Sequence, residues 1–254
     1  MKILALEFSS LQRSVAVILA PERGNLLAFD AKAEVCTPRS ETNQAFGNLP
    51  TVSQVDRVSV SEVVETGHGN TMKPLSMVAE AFKQAGIERE QIECLVVGLG
   101  PGSYTGIRAA IALAQGWQLA RGVKLLGISS ADCVAAQAQT DGIIGRTSVV
   151  IDAQRGEFYL AGYEINAGQL REITPLRLAA LADVREREKA GDVLIGPEVT
   201  RWFPDGRVVF PRAATLGNLA LTRTNFVLGE KLEPIYLREA QFVKAPPPRT
   251  LPQM

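Results

Sequence analysis

The chain has 254 residues, 46% of them hydrophobic, and carries 27 basic and 27 acidic side chains for a formal net charge of zero. That balance excludes an autonomous electrostatic nucleic-acid binder, so any RNA contact needs a local patch or a partner. The length holds one large domain or two small ones, and two compact lobes are expected.

The opening MKILALEFSS has one lysine and an apolar run broken by Glu7, so it reads as a strand over residues 3–8 rather than a secretory signal. A tight turn at Ser9–Gln12 leads into a second strand over 13–19, and Pro21–Asn25 into a third over 26–35, which makes an antiparallel meander. Residues 36–70 are rich in Thr, Ser, Asn, Pro and Gly without sustained period and read as a long surface segment. Pro74 opens an amphipathic helix that ends at Gly86, with Leu75, Val78, Ala79 and Phe82 on its apolar face. A strand at Cys94–Val97, the turn GLGPGSYTGIR and a helix over about 104–121 complete a βββαβα order, the signature of a ribonuclease-H-like lobe.

That second helix has an apolar stripe of Ile107, Ala110, Ile111 and Ala114 and a separate face of Ala109, Ala112, Leu113, Gly116 and Ala120. It reads as covered on two sides, once by its own sheet and once by the other lobe or by another protein. A second α/β unit follows, with a strand at 123–128, a helix at 130–138 and a hairpin over 147–165 turning near Gln154–Gly156. A helix at 176–190, strands at 193–195 and 207–210, a helix at 215–221 and a proline-rich tail that loses order after about Lys244 close the chain. No segment approaches a membrane span. Cys36, Cys94 and Cys133 lack metal-ligand spacing, and their odd number suits reduced core thiols and a cytosolic protein.

The glycine turn holds most of the chemical interest. Gly98, Gly100 and Gly102 permit positive φ or close backbone approach, Pro101 fixes one φ, and Ser103 and Thr105 are candidate helix caps. The run Gly100, Pro101, Gly102, Ser103, Tyr104, Thr105, Gly106, Ile107, Arg108 is therefore either a tight helix-to-sheet junction or an anion site at a helix N-terminus. It is no P-loop, since Ile and Arg follow Gly106 where Lys and Ser or Thr are needed, and GxGxxxG is one residue too long for a dinucleotide fingerprint. A cation at Arg108 opposes the helix dipole, so a carboxylate or phosphate partner is expected for it. Glu7 with Ser9 and Ser10 suits either a metal-bound phosphate or a plain hairpin turn with a solvated glutamate. Asp152 and Arg155 are expected to form a turn-stabilising pair. The single histidine, His68, is followed four residues later by Met72, which leaves no histidine pair for a metal and no support for a serine-protease site.

Four segments in order, ILALEFSS, GPGSYTGIR, DAQRGEFY and PIYLR, resemble the TsaB family of bacterial tRNA threonylcarbamoyladenosine biosynthesis proteins across nearly the full length. That family shows an ILALD-T-S start, a GPGSFTGLR block, a D-A-R-x-x-E-x-Y hairpin and a late P-x-Y-x-R. The resemblance implies an α/β fold of two ribonuclease-H-like lobes, as in actin, Hsp70 and sugar kinases, with the second lobe reduced. The first lobe would span residues 1–103, completed by 222–254, and the second 104–221. It further implies a subunit without catalytic residues, metal or cofactor of its own. Its partners would be a metal-binding TsaD-like subunit, which transfers threonylcarbamoyl to the adenosine beside the anticodon of tRNAs reading A-starting codons, and an ATP-hydrolysing TsaE-like subunit. ATP and metal belong to those partners, and tRNA is met through the complex.

Carried over, the pairing surface falls on Leu75, Val78, Ala79 and Phe82 of one helix and Ala109, Ala112, Leu113, Gly116 and Ala120 of the next; self-association through the same helices would cover it when the partner is absent. The chain departs from the family at Glu7, at Gln154, in the long stretch 36–65 and in GHGNTMKP before the first helix. A small-molecule kinase using Glu7, Ser9 and the Gly100–Gly106 loop around ATP is the enzymatic alternative, and a metalloprotease a third.

Overall fold

The computed structural model describes residues 1–21, 58–67 and 73–238. The expected strand at 26–35, His68, Met72, Cys36 and the tail beyond Lys244 lie outside them. Elements are numbered in chain order among the described residues.

The first sheet contains β1 (Lys2–Glu7), β2 (Gln12–Leu19), β3 (Ser59–Thr66), β4 (Cys94–Gly98) and β5 (Lys124–Ile128) in the order β3-β2-β1-β4-β5. β1 to β3 pair antiparallel; β4 and β5 run parallel to β1. The central strands are near-continuous apolar runs because both faces of the sheet are covered. Leu4, Leu6, Leu95 and Val97 face α1 (Pro74–Ala85) and α2 (Tyr104–Arg121). Ile3, Ala5, Cys94 and Val96 face α5 (Ala213–Leu221). α1 and α2 lie side by side, joined by Phe82 and Trp117 with ring centroids 5.8 Å apart.

The second sheet contains β6 (Gly145–Asp152), β7 (Glu157–Asn166), β8 (Gln169–Ala180), β9 (Val193–Gly196) and β10 (Arg207–Val208). Its order is β10-β9-β6-β7-β8, with β6 to β8 antiparallel and β9 and β10 parallel to β6. This repeats the first sheet strand for strand, so the chain is one architectural unit used twice. α3 (Ser130–Thr140) packs on one face of this sheet and α4 (Leu181–Lys189), with Phe203 and Val199, on the other. α3 also reaches the first lobe through buried Cys133 and through its contact with α5. Asp132 on α3 accepts hydrogen bonds from the Tyr163 hydroxyl at 2.9 Å and from Arg223 at 3.1 Å, tying the second sheet to the segment after α5.

Three expectations are corrected. A strand, β3, occupies 59–66, within the stretch read as a surface segment; it is a half-exposed edge in which Ser and Glu residues interrupt the valines and only Val63 is buried. A twelve-residue strand, β8, precedes α4, so the helix expected from Leu176 starts at Leu181. A lobe boundary at 103/104 would cut the first sheet, because β5 pairs with β4, and α5 packs on β1 and β2; the two sheets part after Ile128.

Candidate functional site

The motifs that stand apart in the sequence meet in space. β1 ends at Glu7, and Phe8 and Ser9 lie directly against the glycine turn. An added Cβ at Gly102 (φ +148°) would sit 2.0 Å from the Ser9 carbonyl oxygen, and one at Gly106 would sit 2.0 Å from that of Phe8. The Ser103 amide donates to the Ser9 carbonyl at 2.6 Å, while its hydroxyl caps α2 by accepting from the Gly106 amide at 3.4 Å. The turn, which includes a cis peptide between Gly100 and Pro101, is thus a close-packed junction seating α2 on the end of β1. Thr105 is exposed on the first turn and takes no capping role there.

Glu7 is fully buried, not the solvated turn residue of the plainer reading. Its carboxylate accepts from the Ser9 amide at 2.8 Å and from the Ser130 hydroxyl at 3.0 Å, and Ser130 in turn accepts from the Gly100 amide at 3.1 Å. Burial pushes its carboxyl above the ordinary value, and the hydrogen bonds from Ser9 and Ser130 oppose that rise. A Cβ at Gly98 would lie 1.9 Å from Glu7 Oε2, so the longer side chain fills the hollow behind the turn. Ser10 serves its own turn by donating to the Gln12 carbonyl at 2.7 Å. Glu7, Ser9 and the turn are adjacent, and the chain itself occupies the space between them.

The late PIYLR segment, which the sequence did not connect to anything, closes the arrangement. The Ile235 amide donates to the Leu99 carbonyl at 2.9 Å. Tyr236 lies 6.0 Å, centroid to centroid, from Tyr104. Arg238 donates to the Ala153 carbonyl at 3.0 Å, to the Gln154 carbonyl at 3.3 Å and to Glu157. The hairpin between β6 and β7 is therefore pinned to the first lobe. Gln154 and Arg155 take φ of 64° and 61° at its tip, and Asp152 accepts from Gln154 rather than pairing with Arg155. Arg108 also departs from expectation: its guanidinium donates to the Tyr104 hydroxyl at 2.6 Å, with no carboxylate paired to it among the described residues.

The helix faces divide sharply. On α2, Gly106, Ile107, Ala110, Ile111 and Ala114 are buried, Ala109 and Leu113 half-buried, and Ala112, Gly116 and Ala120 exposed. An added Cβ at Gly116 would meet nothing within 4 Å, and Leu119, which the small-residue count passed over, is 90% exposed. On α1 the core residues are Met77, Val78 and Ala81; Phe82 is half-buried, while Leu75 (65%) and Ala79 face out. The expected α1 face thus splits, with Val78 in the core and Leu75 and Ala79 on the surface. A shallow groove lined by Ala79, Phe82, Lys83, Gly86, Ile87 and Glu88 continues that surface. No cluster of three or more His, Cys, Asp or Glu side chains suited to a metal occurs among the described residues. No described helix is long and apolar enough to cross a membrane.

Two mixed sheets of one strand order, each flanked by helices, define a two-lobed α/β protein of the ribonuclease-H-like superfamily that includes actin and Hsp70. The family model described as TsaD, tRNA N6-adenosine threonylcarbamoyltransferase, matches residues 60–240, and the chain belongs to that family. Within it the similarity runs to TsaB. The Escherichia coli tRNA threonylcarbamoyladenosine biosynthesis protein TsaB is 28% identical over 84% of this chain and 94% of its own length. The Bacillus subtilis TsaB is 28% identical over 54% of this chain and 59% of its own length. Among solved structures, YeaZ from Pseudomonas aeruginosa superposes with a TM-score of 0.64 at 21% identity, covering 93% of this chain and 99% of that one. A further Pseudomonas aeruginosa protein, described as similar to peptidase YEAZ, gives 0.68 at 21% identity and the same coverage.

Proposed function

We propose that this chain is a non-catalytic scaffold subunit in the installation of threonylcarbamoyl on tRNA, pairing with a TsaD-like catalytic subunit through the outer faces of α1 and α2. The observation that carries this reading is the solvent-facing strip of Leu75, Ala79, Ala112, Gly116, Leu119 and Ala120 on two adjacent helices. Small residues at Ala112, Gly116 and Ala120 let a second helix approach closely, and the two leucines at its ends supply apolar area that a partner would remove from water. Metal and ATP are assigned to the TsaD-like and TsaE-like partners, tRNA is engaged through the assembly, and a second copy of this chain can cover the strip when the partner is absent. The kinase alternative needs an open phosphate cradle, whereas Phe8, Ser9 and Glu7 fill the space beside the glycine turn.

Reconstitution tests the proposal. Threonylcarbamoyl transfer to unmodified tRNA is measured with the cognate TsaD-like and TsaE-like subunits, with and without this chain. Transfer that depends on adding it, together with no ATP turnover by the chain alone, is the expected result. Full transfer without it, or phosphoryl transfer by the lone chain, would overturn the reading.

A further inference from the structure

We infer that the exposed cluster of Tyr104, Arg108 and Tyr236 is a stacking surface for unpaired RNA bases, so that this chain touches the tRNA directly; the inference rests on the tRNA-modification role proposed above. Tyr104 and Tyr236 are 57% and 56% exposed, and their rings, tilted 34° to one another, cover only part of each other's area. Arg108 is exposed beside them, 5.2 Å from the Tyr104 ring centroid, and donates to the Tyr104 hydroxyl at 2.6 Å. Among the described residues no carboxylate pairs with it, and it stands one turn into the eighteen-residue helix α2. Arg238 holds the β6–β7 hairpin two residues along from Tyr236, and the tip of that hairpin presents a second exposed guanidinium at Arg155.

Half-exposed rings beside exposed guanidinium groups, Arg108 and Arg155, that pair with no carboxylate among the described residues are complementary to bases and phosphates together. A protein partner would make poorer use of them: the apolar strip on α1 and α2 is formed by other residues, and an acidic peptide needs the cations but not the rings. With zero net charge the chain holds RNA weakly by itself, and the cluster adds to what the assembled complex holds.

The test uses the complex with the TsaD-like subunit and a fluorescently labelled, unmodified tRNA reading an A-starting codon, with anisotropy followed across a salt series. Tyr104→Ala with Tyr236→Ala is expected to weaken binding about tenfold or more. Arg108→Ala is expected to weaken it and lower the salt slope by about one. Tyr104→Phe with Tyr236→Phe keeps both rings and most of the affinity, so the inference stays testable if the alanine pair folds poorly. Unchanged RNA affinity in an intact 1:1 complex overturns the inference, as does loss of the protein partner from the variants, or competition by polyphosphate as effective as by unlabelled tRNA. If the wild-type chain fails to pair with the TsaD-like subunit, the scaffold reading falls. The same variants then decide the inference on the chain alone at low salt, where equal affinities for RNA overturn it.

Discussion

One substitution made at two places on α2 separates its buried root from its open face. Gly106 and Gly116 are both helical, so replacing either by alanine gains about 0.5–1 kcal/mol from helix propensity alone. At Gly116 the new methyl meets nothing within 4 Å, and that gain is the whole effect. At Gly106 the methyl would lie 2.0 Å from the Phe8 carbonyl oxygen, 3.1 Å from its carbon and 3.2 Å from its Cβ. Backbone at the end of a central strand cannot rotate aside, so α2 must lift from β1 at an expected cost of about 1–3 kcal/mol or more. For a chain of this size 1 kcal/mol corresponds to about 2–4 °C. Thermal unfolding should therefore show Gly116→Ala slightly raised and Gly106→Ala lowered by several degrees. A Gly106→Ala protein as stable as the parent would refute the claim that the glycine turn exists to seat this helix.

Other consequences follow from the same geometry. Because burial raises the folded Glu7 value above the unfolded 4.5, its contribution to stability is full below pH 4.5 and is lost as pH rises through the folded value. Glu7→Gln should remove that loss, so the difference in melting temperature between variant and parent should grow in the variant's favour from pH 4.5 upward; a pH-independent difference contradicts the assignment. Arg238→Ala releases the hairpin and should cost about 1 kcal/mol, allowing for partial exposure. Hydrogen exchange should accelerate at 153–157 and 235–238 together, and protection unchanged at both would show that the strap is idle. Arg212 makes a bidentate contact with Glu62, whose carboxylate also accepts from the Ala214 amide at 3.0 Å. Arg212→Ala should cost about 1–3 kcal/mol in urea unfolding by loosening β3 from the start of α5, and a neutral result would mean that contact is not formed in solution.

Local rules carried much of the fold. Pro74 and Gly86 bound α1 as a proline start and a left-handed glycine stop, and the hairpin turns where Gln154 and Arg155 adopt positive φ. β1 and β2 were legible because their sequences are short apolar runs between turn residues. β8 was not, because Leu176, Ala179, Ala180 and Val184 carry a helical period across the junction of a strand and a helix. The face of α1 was misjudged for a related reason: apolar residues occupy more than half its circumference, so spacing alone does not say whether Met77 or Leu75 points inward. Arg238 reaching the Ala153 carbonyl, 85 residues away in sequence, has no local signal at all. The glycine motif was visible, but whether it cradles an anion or another strand depends on Phe8 and Ser9, which only the packing brings there.

The most direct measurement is the mass of the assembly formed with the cognate TsaD-like subunit, by light scattering after gel filtration, for the parent and for Gly116→Arg. Since Gly116 faces open space, the arginine leaves the fold intact, with an unchanged melting temperature as the control. A 1:1 complex for the parent and separate subunits for the variant are the expected result. A variant that assembles as tightly as the parent would show that the outer face of α2 is not the pairing surface.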